Sequence, residues 1–330
     1  MEEWEQAACR RLAAGHDLRC TSQPLNLQGA AGFADAEVIT TFIRSQLDAA
    51  TLAALPALKL IATRSTGFDH IDLAYCRQAG IAVSNVPDYG DPTVAEHTFA
   101  LLLAVSRRVV EAADRTRKGD FAMEGLRGFD LAGRTLGVIG AGRIGRRVIR
   151  IARGFAMHVL AVDARPDPAA AAELGFDYAS LEDLLRQADV ISLHVPGSPD
   201  TRDLITDAQF AAMKPGAVLV NTARGGVVNA AALVRALTSG KLAGAGLDVF
   251  ADEPLLREEA EVFRAGRELP SEQLRSLLAT NTLLRLPNVV MTPHIAYDTF
   301  EAVHRILEIT LRNIEAFAAG TPQNLVSAPA

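Results

Sequence analysis

Short apolar runs alternate along this chain with stretches whose apolar residues return every three or four positions, and the two periods predict strands and helices respectively. In the first part, a helix is expected over residues 4 to about 14, strands over 18–21, 37–43 and 59–63, a helix over 72–79 and a strand over 81–85. Such alternation implies a parallel sheet covered on both faces. From Pro92 the pattern lengthens, and residues 93 to about 118 read as one helix, apolar through Phe99, Leu101, Leu102, Leu103 and Val105 and basic at Arg107 and Arg108. A loop with Gly119, Gly125 and Gly128 leads to a strand at 135–139, a helix from 144 to about 155 and a strand at 157–162. Further strands are expected at 190–195, 217–221, 244–249 and 289–292, giving six or seven in a doubly wound sheet. Residues 299 to about 319 form the last predicted helix, apolar at Val303, Ile306, Leu307, Ile309 and Ile314. It follows a completed sheet, so the simplest arrangement returns it to the first domain. The expected domains are 1–92 with 297–330, and 93–296, with a cleft between the halves.

The strand at 135–139 runs into Gly140-Ala141-Gly142-Arg143-Ile144-Gly145, which opens the next helix. That is the context a dinucleotide-binding loop requires. Gly140 permits the sharp turn, Gly142 lets the backbone approach a pyrophosphate, and Gly145 allows close packing of helix on strand, while the helix start offers free N–H groups to the phosphates. The next strand ends at Asp163, eighteen residues after Gly145, where a carboxylate can accept from the adenosine ribose hydroxyls and would repel a 2′-phosphate. NAD is therefore expected over NADP, although Arg165 nearby is a residue type that accommodates that phosphate.

Three later stretches each carry one part of a hydride-transfer site: Asn221-Thr222-Ala223-Arg224-Gly225-Gly226, Asp248-Val249-Phe250-Ala251-Asp252-Glu253-Pro254, and Thr292-Pro293-His294. Reducing a 2-keto acid needs a cation for the substrate carboxylate, an acid to protonate the ketone oxygen, and a partner that keeps the acid protonated. Arg224 supplies a rigid fork that pairs bidentately with a carboxylate. His294 titrates in the useful range, and Glu253 would favour its imidazolium. His97, on an apolar helix, reads as a satisfied interdomain residue, and His194 as one that orients the cofactor loop.

Composition agrees with an enzyme of this kind. The chain has 330 residues, 49% of them hydrophobic, which suits two domains with large cores. A net charge of −6, a pI near 5.7 and no basic face exclude a nucleic-acid protein. An anionic substrate must then be attracted by local arginines. Cys9, Cys20 and Cys76 are odd in number and lack metal-type spacing, so they read as small, partly buried free thiols in a reducing cytoplasm. No His, Cys or carboxylate set has zinc spacing, and no metal is expected. No apolar stretch reaches the ~18 residues needed to span a membrane. The acidic start, Met1-Glu2-Glu3-Trp4-Glu5, lacks the features of a signal peptide.

These motifs together resemble the D-isomer-specific 2-hydroxyacid dehydrogenase family over residues 58 to about 317: Gly140 to Gly145 with Asp163, Asn221 to Gly226, Gly246-Leu247-Asp248-Val249-Phe250 with Glu253-Pro254, and Thr292-Pro293-His294. The resemblance implies an α/β chain of two domains, a Rossmann-type doubly wound parallel sheet for NAD and a smaller flavodoxin-like α/β substrate domain. It implies that Arg224 binds the substrate carboxylate and the C2 oxygen, that His294 is the acid/base, and that Glu253 orients and charges it. Backbone N–H groups near Ser65-Thr66-Gly67 would hold the other carboxylate oxygen. Arg143 and Ile144 would sit over the pyrophosphate, Asp248 would meet the nicotinamide carboxamide, and Val195, Pro196 and Thr222 would line the cofactor cleft. A homodimer built on the helix from residue 93 is also implied.

Within the family the pattern is most similar to the D-lactate dehydrogenase branch, through Arg64-Ser65-Thr66-Gly67-Phe68-Asp69-His70-Ile71-Asp72, Asn85-Val86-Pro87-Asp88-Tyr89 and His294-Ile295-Ala296-Tyr297. Tyr89 and Tyr297 could close over a methyl-sized group, which points to pyruvate and D-lactate; glyoxylate, hydroxypyruvate or a larger 2-keto acid are the alternatives. The interval from Glu253 to His294 resembles a lactate-type extension, and residues 255–286 read as a charged, mostly helical flap. Phosphite dehydrogenases of the family carry lysine where Thr66 stands, which counts against that chemistry. From other classes, an NAD-sensing corepressor-like binding module and a hydrolase that uses bound NAD internally are disfavoured by the intact Arg224, Glu253 and His294 set. One departure concerns the start: members open on a short apolar strand, whereas this chain opens on the Trp4 helix. A start assigned too late is the favoured reading, with a weakened first domain as its consequence.

Overall fold

The computed structural model describes residues 3–251 and 270–327. The chain divides into two compact units, Met1–Tyr89 with Asp298–Ala330, and Gly90–Tyr297.

The larger unit is built on a seven-stranded sheet, all of whose pairings are parallel. Its order is Val289–Met291, Leu242–Leu247, Ala217–Asn221, Val190–Leu193, Thr135–Ile139, His158–Val162 and Asp177–Tyr178. The first of these strands in sequence, Thr135–Ile139, lies between the second and the fourth, so the winding reverses there; the crevice at such a switch point, beyond the carboxyl ends of the strands, is where open α/β sheets bind ligands. Apolar side chains leave both faces of these strands. Ile139, Ile191 and Leu219 join one buried cluster, and Val138, Val190 and Val220 join another. Continuous burial of this kind is why the strands read as apolar runs rather than as alternating ones.

The predicted long helix is two helices, Asp91–Ser106 and Val109–Arg117. Between them Arg108 adopts φ 49°, left-handed for a residue with a side chain. The Ser106 carbonyl, which a continuing helix would offer to the N–H four residues on, instead accepts from the Phe129 N–H at 3.0 Å. The loop returning to the sheet therefore terminates the first helix.

The smaller unit has a four-stranded sheet in the order Val38–Thr41, Leu60–Thr63, Ala82–Ser84 and Leu325–Ser327, the first three parallel and the last antiparallel. Strand period two separates its faces. Leu60 and Ala62 pack with Cys9, Leu307, Leu311 and Ile314, while Ile61 packs with Leu47, Leu52 and Cys76. The helix Phe300–Ala318, capped by the Thr299 hydroxyl on the Ala302 N–H, thus supplies part of the core. The helix expected at the start runs from Glu3 to Cys9, followed by a single turn at Leu12–Ala14. The strand expected at 18–21 is absent: Arg19, Cys20 and Thr21 are exposed, leaving only Leu18 to contribute to a core. Cys20 is correspondingly exposed, contrary to expectation, whereas Cys9 and Cys76 are buried.

Candidate active site

Among the described residues, those proposed for the cofactor and substrate in the larger unit follow the carboxyl ends of its strands. After Thr135–Ile139 the chain turns at Gly140, at φ 100°, where a Cβ would stand 2.6 Å from the His194 carbonyl oxygen. A Cβ at Gly145 would stand 2.0 Å from the Gly140 oxygen, a closure no side chain could share. Around Gly142 nothing lies within 4 Å of a Cβ position, leaving that side of the loop open. Gly142 also precedes the helix Arg143–Gly154 without a side-chain cap, so the first-turn N–H groups remain available to an anion. Asp163 accepts from the Ala141 N–H with one oxygen and from the Arg165 N–H with the other, each at 2.8 Å. It therefore braces the loop, a task its spacing alone did not reveal. Arg143 pairs with Asp91 at 3.1 Å, and Ile144 packs on the hydrophobic core. These residues fit a dinucleotide.

Beside the loop, Val195 packs on the core and Pro196 is exposed, its carbonyl accepting from the Thr201 hydroxyl at 2.7 Å. Thr222 is buried and its hydroxyl meets that of Thr98 at 2.9 Å. Burial pushes His194 down from 6.5 to about 3, so its ring is neutral; its Nε2 lies 2.8 Å from the Ser192 hydroxyl.

Arg224 follows the strand Ala217–Asn221. The buried Asn221 side chain accepts from the Ala223 N–H and donates to the Arg224 carbonyl, both at 3.0 Å, and so sets the backbone on either side of the arginine's attachment. A Cβ at Gly225 would lie 1.9 Å from the Phe250 carbonyl carbon, so this loop and the one after Leu242–Leu247 pass in direct backbone contact. Arg224 Nη1 donates to the Ala223 oxygen at 2.8 Å.

Asp248 is fully buried. Its carboxylate accepts from the Thr292 hydroxyl at 2.5 Å, the Ile295 N–H at 2.9 Å and the Ala296 N–H at 2.8 Å, with His97 Nε2 at 3.4 Å. Burial alone would raise its pKa, but the bonds from His97, Thr292, Ile295 and Ala296 outweigh it and the net shift is downward. The Asp248 carbonyl accepts from the His294 N–H at 2.8 Å. This side chain, expected at the nicotinamide, also braces the turn that carries His294. That turn places His294 at φ 58°, a left-handed conformation that costs a side-chain-bearing residue about 1–3 kcal/mol and persists only where surrounding contacts enforce it. The His294 and Tyr297 rings stand edge to face, 6.4 Å apart. His97 also bonds the Thr292 hydroxyl, at 3.0 Å, within the same unit. Glu253, Pro254 and residues 255–269 of the expected flap lie outside the described residues; Ser271–Leu283, within that interval, is helical.

In the smaller unit, Ser65 is buried, Thr66 exposed and Gly67 half-buried in the loop after Leu60–Thr63. The Ser65 hydroxyl donates to the Gly67 carbonyl at 2.6 Å and the Thr66 hydroxyl to the Val86 carbonyl at 2.7 Å. The Tyr89 carbonyl accepts from Arg305 Nε at 2.8 Å.

A doubly wound sheet with a glycine-lined loop at its switch point, an acid after the second strand, and an arginine and a histidine after strands on either side of Leu242–Leu247 defines a dinucleotide-dependent oxidoreductase. The chain belongs to the D-isomer specific 2-hydroxyacid dehydrogenase family: residues 99–296 match its NAD binding domain. It is 38% identical over 301 residues to a glyoxylate reductase of Thermococcus litoralis, covering 89% of this chain and 84% of that protein. It is 40% identical to a glycerate dehydrogenase of Methylorubrum extorquens over 84% of this chain and 82% of that one. The crystal structure of a D-lactate dehydrogenase from Aquifex aeolicus, complexed with NAD and lactic acid, superposes with a TM-score of 0.88 at 37% identity, covering 100% of this chain and 98% of the other. The chain is thus an NAD-dependent dehydrogenase acting on a CH–OH donor.

Proposed function

We propose that this enzyme interconverts a small 2-keto acid and its D-2-hydroxy acid, with pyruvate and D-lactate as the first pair. The observation that supports this most is the arrangement of Arg224, Asp248 and His294 after three adjacent strands, with His294 held in a left-handed turn by the buried Asp248 carboxylate. When bound, the cofactor would supply the hydride from nicotinamide C4 as NADH in the reductive direction and accept it there as NAD+ in the oxidative one. Arg224 pairs with the substrate carboxylate and polarises the C2 oxygen. His294 as imidazolium gives that oxygen its proton and, in the oxidative direction, takes it back. Glu253 is assigned as the partner that orients the ring. The Ser65–Gly67 loop is assigned to the substrate carboxylate, and Tyr89 and Tyr297 to its side chain. Gly140, Gly142, Arg143, Ile144 and Gly145 are assigned to the pyrophosphate, Asp163 to the ribose, and Val195, Pro196 and Thr222 to the cofactor cleft. Asp248 is assigned to the nicotinamide carboxamide, and it also braces the His294 turn.

A second substrate reading, glyoxylate, rests on the names of the relatives at 38% identity. Following NADH loss with pyruvate, glyoxylate, hydroxypyruvate and phenylpyruvate separates the two. Fastest turnover per KM with pyruvate supports the first, fastest with glyoxylate the second, and no turnover with any of the four overturns both. Arg224→Lys should lower kcat/KM by more than about a hundredfold by losing the bidentate fork. His294→Gln should abolish turnover while NADH still binds; equal loss of both contradicts its role.

A further inference from the structure

The loop assigned above to the substrate carboxylate is braced from behind by two side chains, Asn313 and Asn324, that no motif marks. Each of its carbonyls is taken. The Ser65 oxygen accepts from the Val86 N–H at 3.0 Å, the Thr66 oxygen from Asn85 Nδ2 at 2.8 Å, and the Gly67 oxygen from the Ser65 hydroxyl at 2.6 Å. In a planar trans peptide the C=O and the following N–H point in opposite directions. Fixing the Ser65 and Thr66 oxygens therefore fixes the directions of the Thr66 and Gly67 N–H groups. Neither N–H has a hydrogen-bond partner among the described residues. Two successive unpaired backbone N–H groups are what a carboxylate needs.

Asn85, whose side-chain amide orients the second peptide, is itself fixed from behind at its main chain. Its backbone carbonyl accepts from Asn313 Nδ2 at 2.9 Å, and its backbone N–H donates to the Asn324 carbonyl at 3.1 Å. Asn313 Oδ1 accepts in turn from Asn324 Nδ2 at 2.8 Å. Asn313 is 1% exposed and sits among the apolar residues of the helix Phe300–Ala318, where a side-chain amide costs free energy unless both its ends are paired, as they are here. Asn324 is held at φ 53° by the same contacts. Asn313 and Asn324 come from the C-terminal part of the chain, which returns to the first unit.

We propose that Asn313, backed by Asn324, is a positioning residue for substrate binding: through Asn85 it sets the Thr66–Gly67 peptide that receives the carboxylate. The proposal rests on the assignment of that loop to the carboxylate. A carboxylate is bound alike in ground and transition states, so its loss appears in KM rather than in kcat. Asn313→Ala should raise KM for the best 2-keto acid of the panel about fivefold to tenfold, the worth of roughly one neutral hydrogen bond. Its kcat and its Kd for NADH, read by fluorescence, should stay within about twofold. Asn324→Ala should shift KM in the same direction by less. Unchanged KM in folded Asn313→Ala, or parallel change of KM, kcat and NADH Kd, overturns the proposal; if that variant does not fold, unchanged KM in Asn324→Ala does so. Gly67→Pro, which deletes one of the two N–H groups, separates the layers. A raised KM there with none in the Asn313 and Asn324 variants overturns the relay alone, whereas an unchanged KM overturns the carboxylate assignment beneath it.

Discussion

At the scale of single residues, chemical type was legible and state was not. Arg224 and His294 are nominated by what a keto-acid reduction would demand, yet nothing in their neighbours announces that His294 stands at φ 58° or that Asn221 clamps the backbone from the Ala223 N–H to the Arg224 carbonyl. His194 makes the same point with a measurable consequence. Its pKa falls from 6.5 to about 3 in the folded chain because burial disfavours the charged ring. Below about pH 6.5 the unfolded chain binds a proton that the folded one refuses, so this contribution to stability is full above 6.5 and is lost progressively as pH falls toward 3. His70, also shifted down by burial, acts in the same sense. Urea melts between pH 7.5 and 5 should show stability declining, and His194→Asn should reduce the slope by up to about one proton per molecule. An unaltered slope would mean that the ring is charged in the fold.

At the scale of elements, strand and helix periods located nearly every piece of the larger unit, because parallel strands buried on both faces read as unbroken apolar runs. Two failures have tertiary causes. The helix from residue 93 breaks at Ser106 because Phe129 takes its carbonyl, a contact with a residue far along the chain. The run at 18–21 found no partner strand and stayed exposed. The turn at 292–296 is likewise held from outside itself, by the Asp248 carboxylate. Replacing that group by an amide turns one acceptor into a donor facing a donor, at a cost of about 1–3 kcal/mol for a buried unpaired group. Asp248→Asn should lower Tm and reduce kcat/KM at least about tenfold as His294 relaxes toward ordinary backbone angles. Retention of full kcat would show that the turn stands without the carboxylate.

At the scale of the whole molecule, the larger unit leaves Phe121 78% and Met123 83% exposed, with Val109 and Val110 more than half exposed. Isolated exposed apolar residues are ordinary, but large ones this open mark association surfaces when they cluster. Together with the homodimer implied by family resemblance, they predict that Phe121→Asp with Met123→Asp shifts sedimentation from dimer to monomer; a parent protein that sediments as a monomer would remove the premise. By itself the sequence determined the class of fold and the glycine loop, and it nominated Arg224, Glu253 and His294 for the site, because periodicity and chemical type are local properties that survive without a partner. Tertiary structure alone decided which groups brace them. Asp163 under the glycine loop, Asn221 beside Arg224, Asp248 beneath His294, and Asn313 and Asn324 behind the Ser65 loop act across separations from a few residues to more than two hundred. A hydrogen bond between residues distant in the chain leaves no period in it, and only the folded backbone brings the donor to its acceptor.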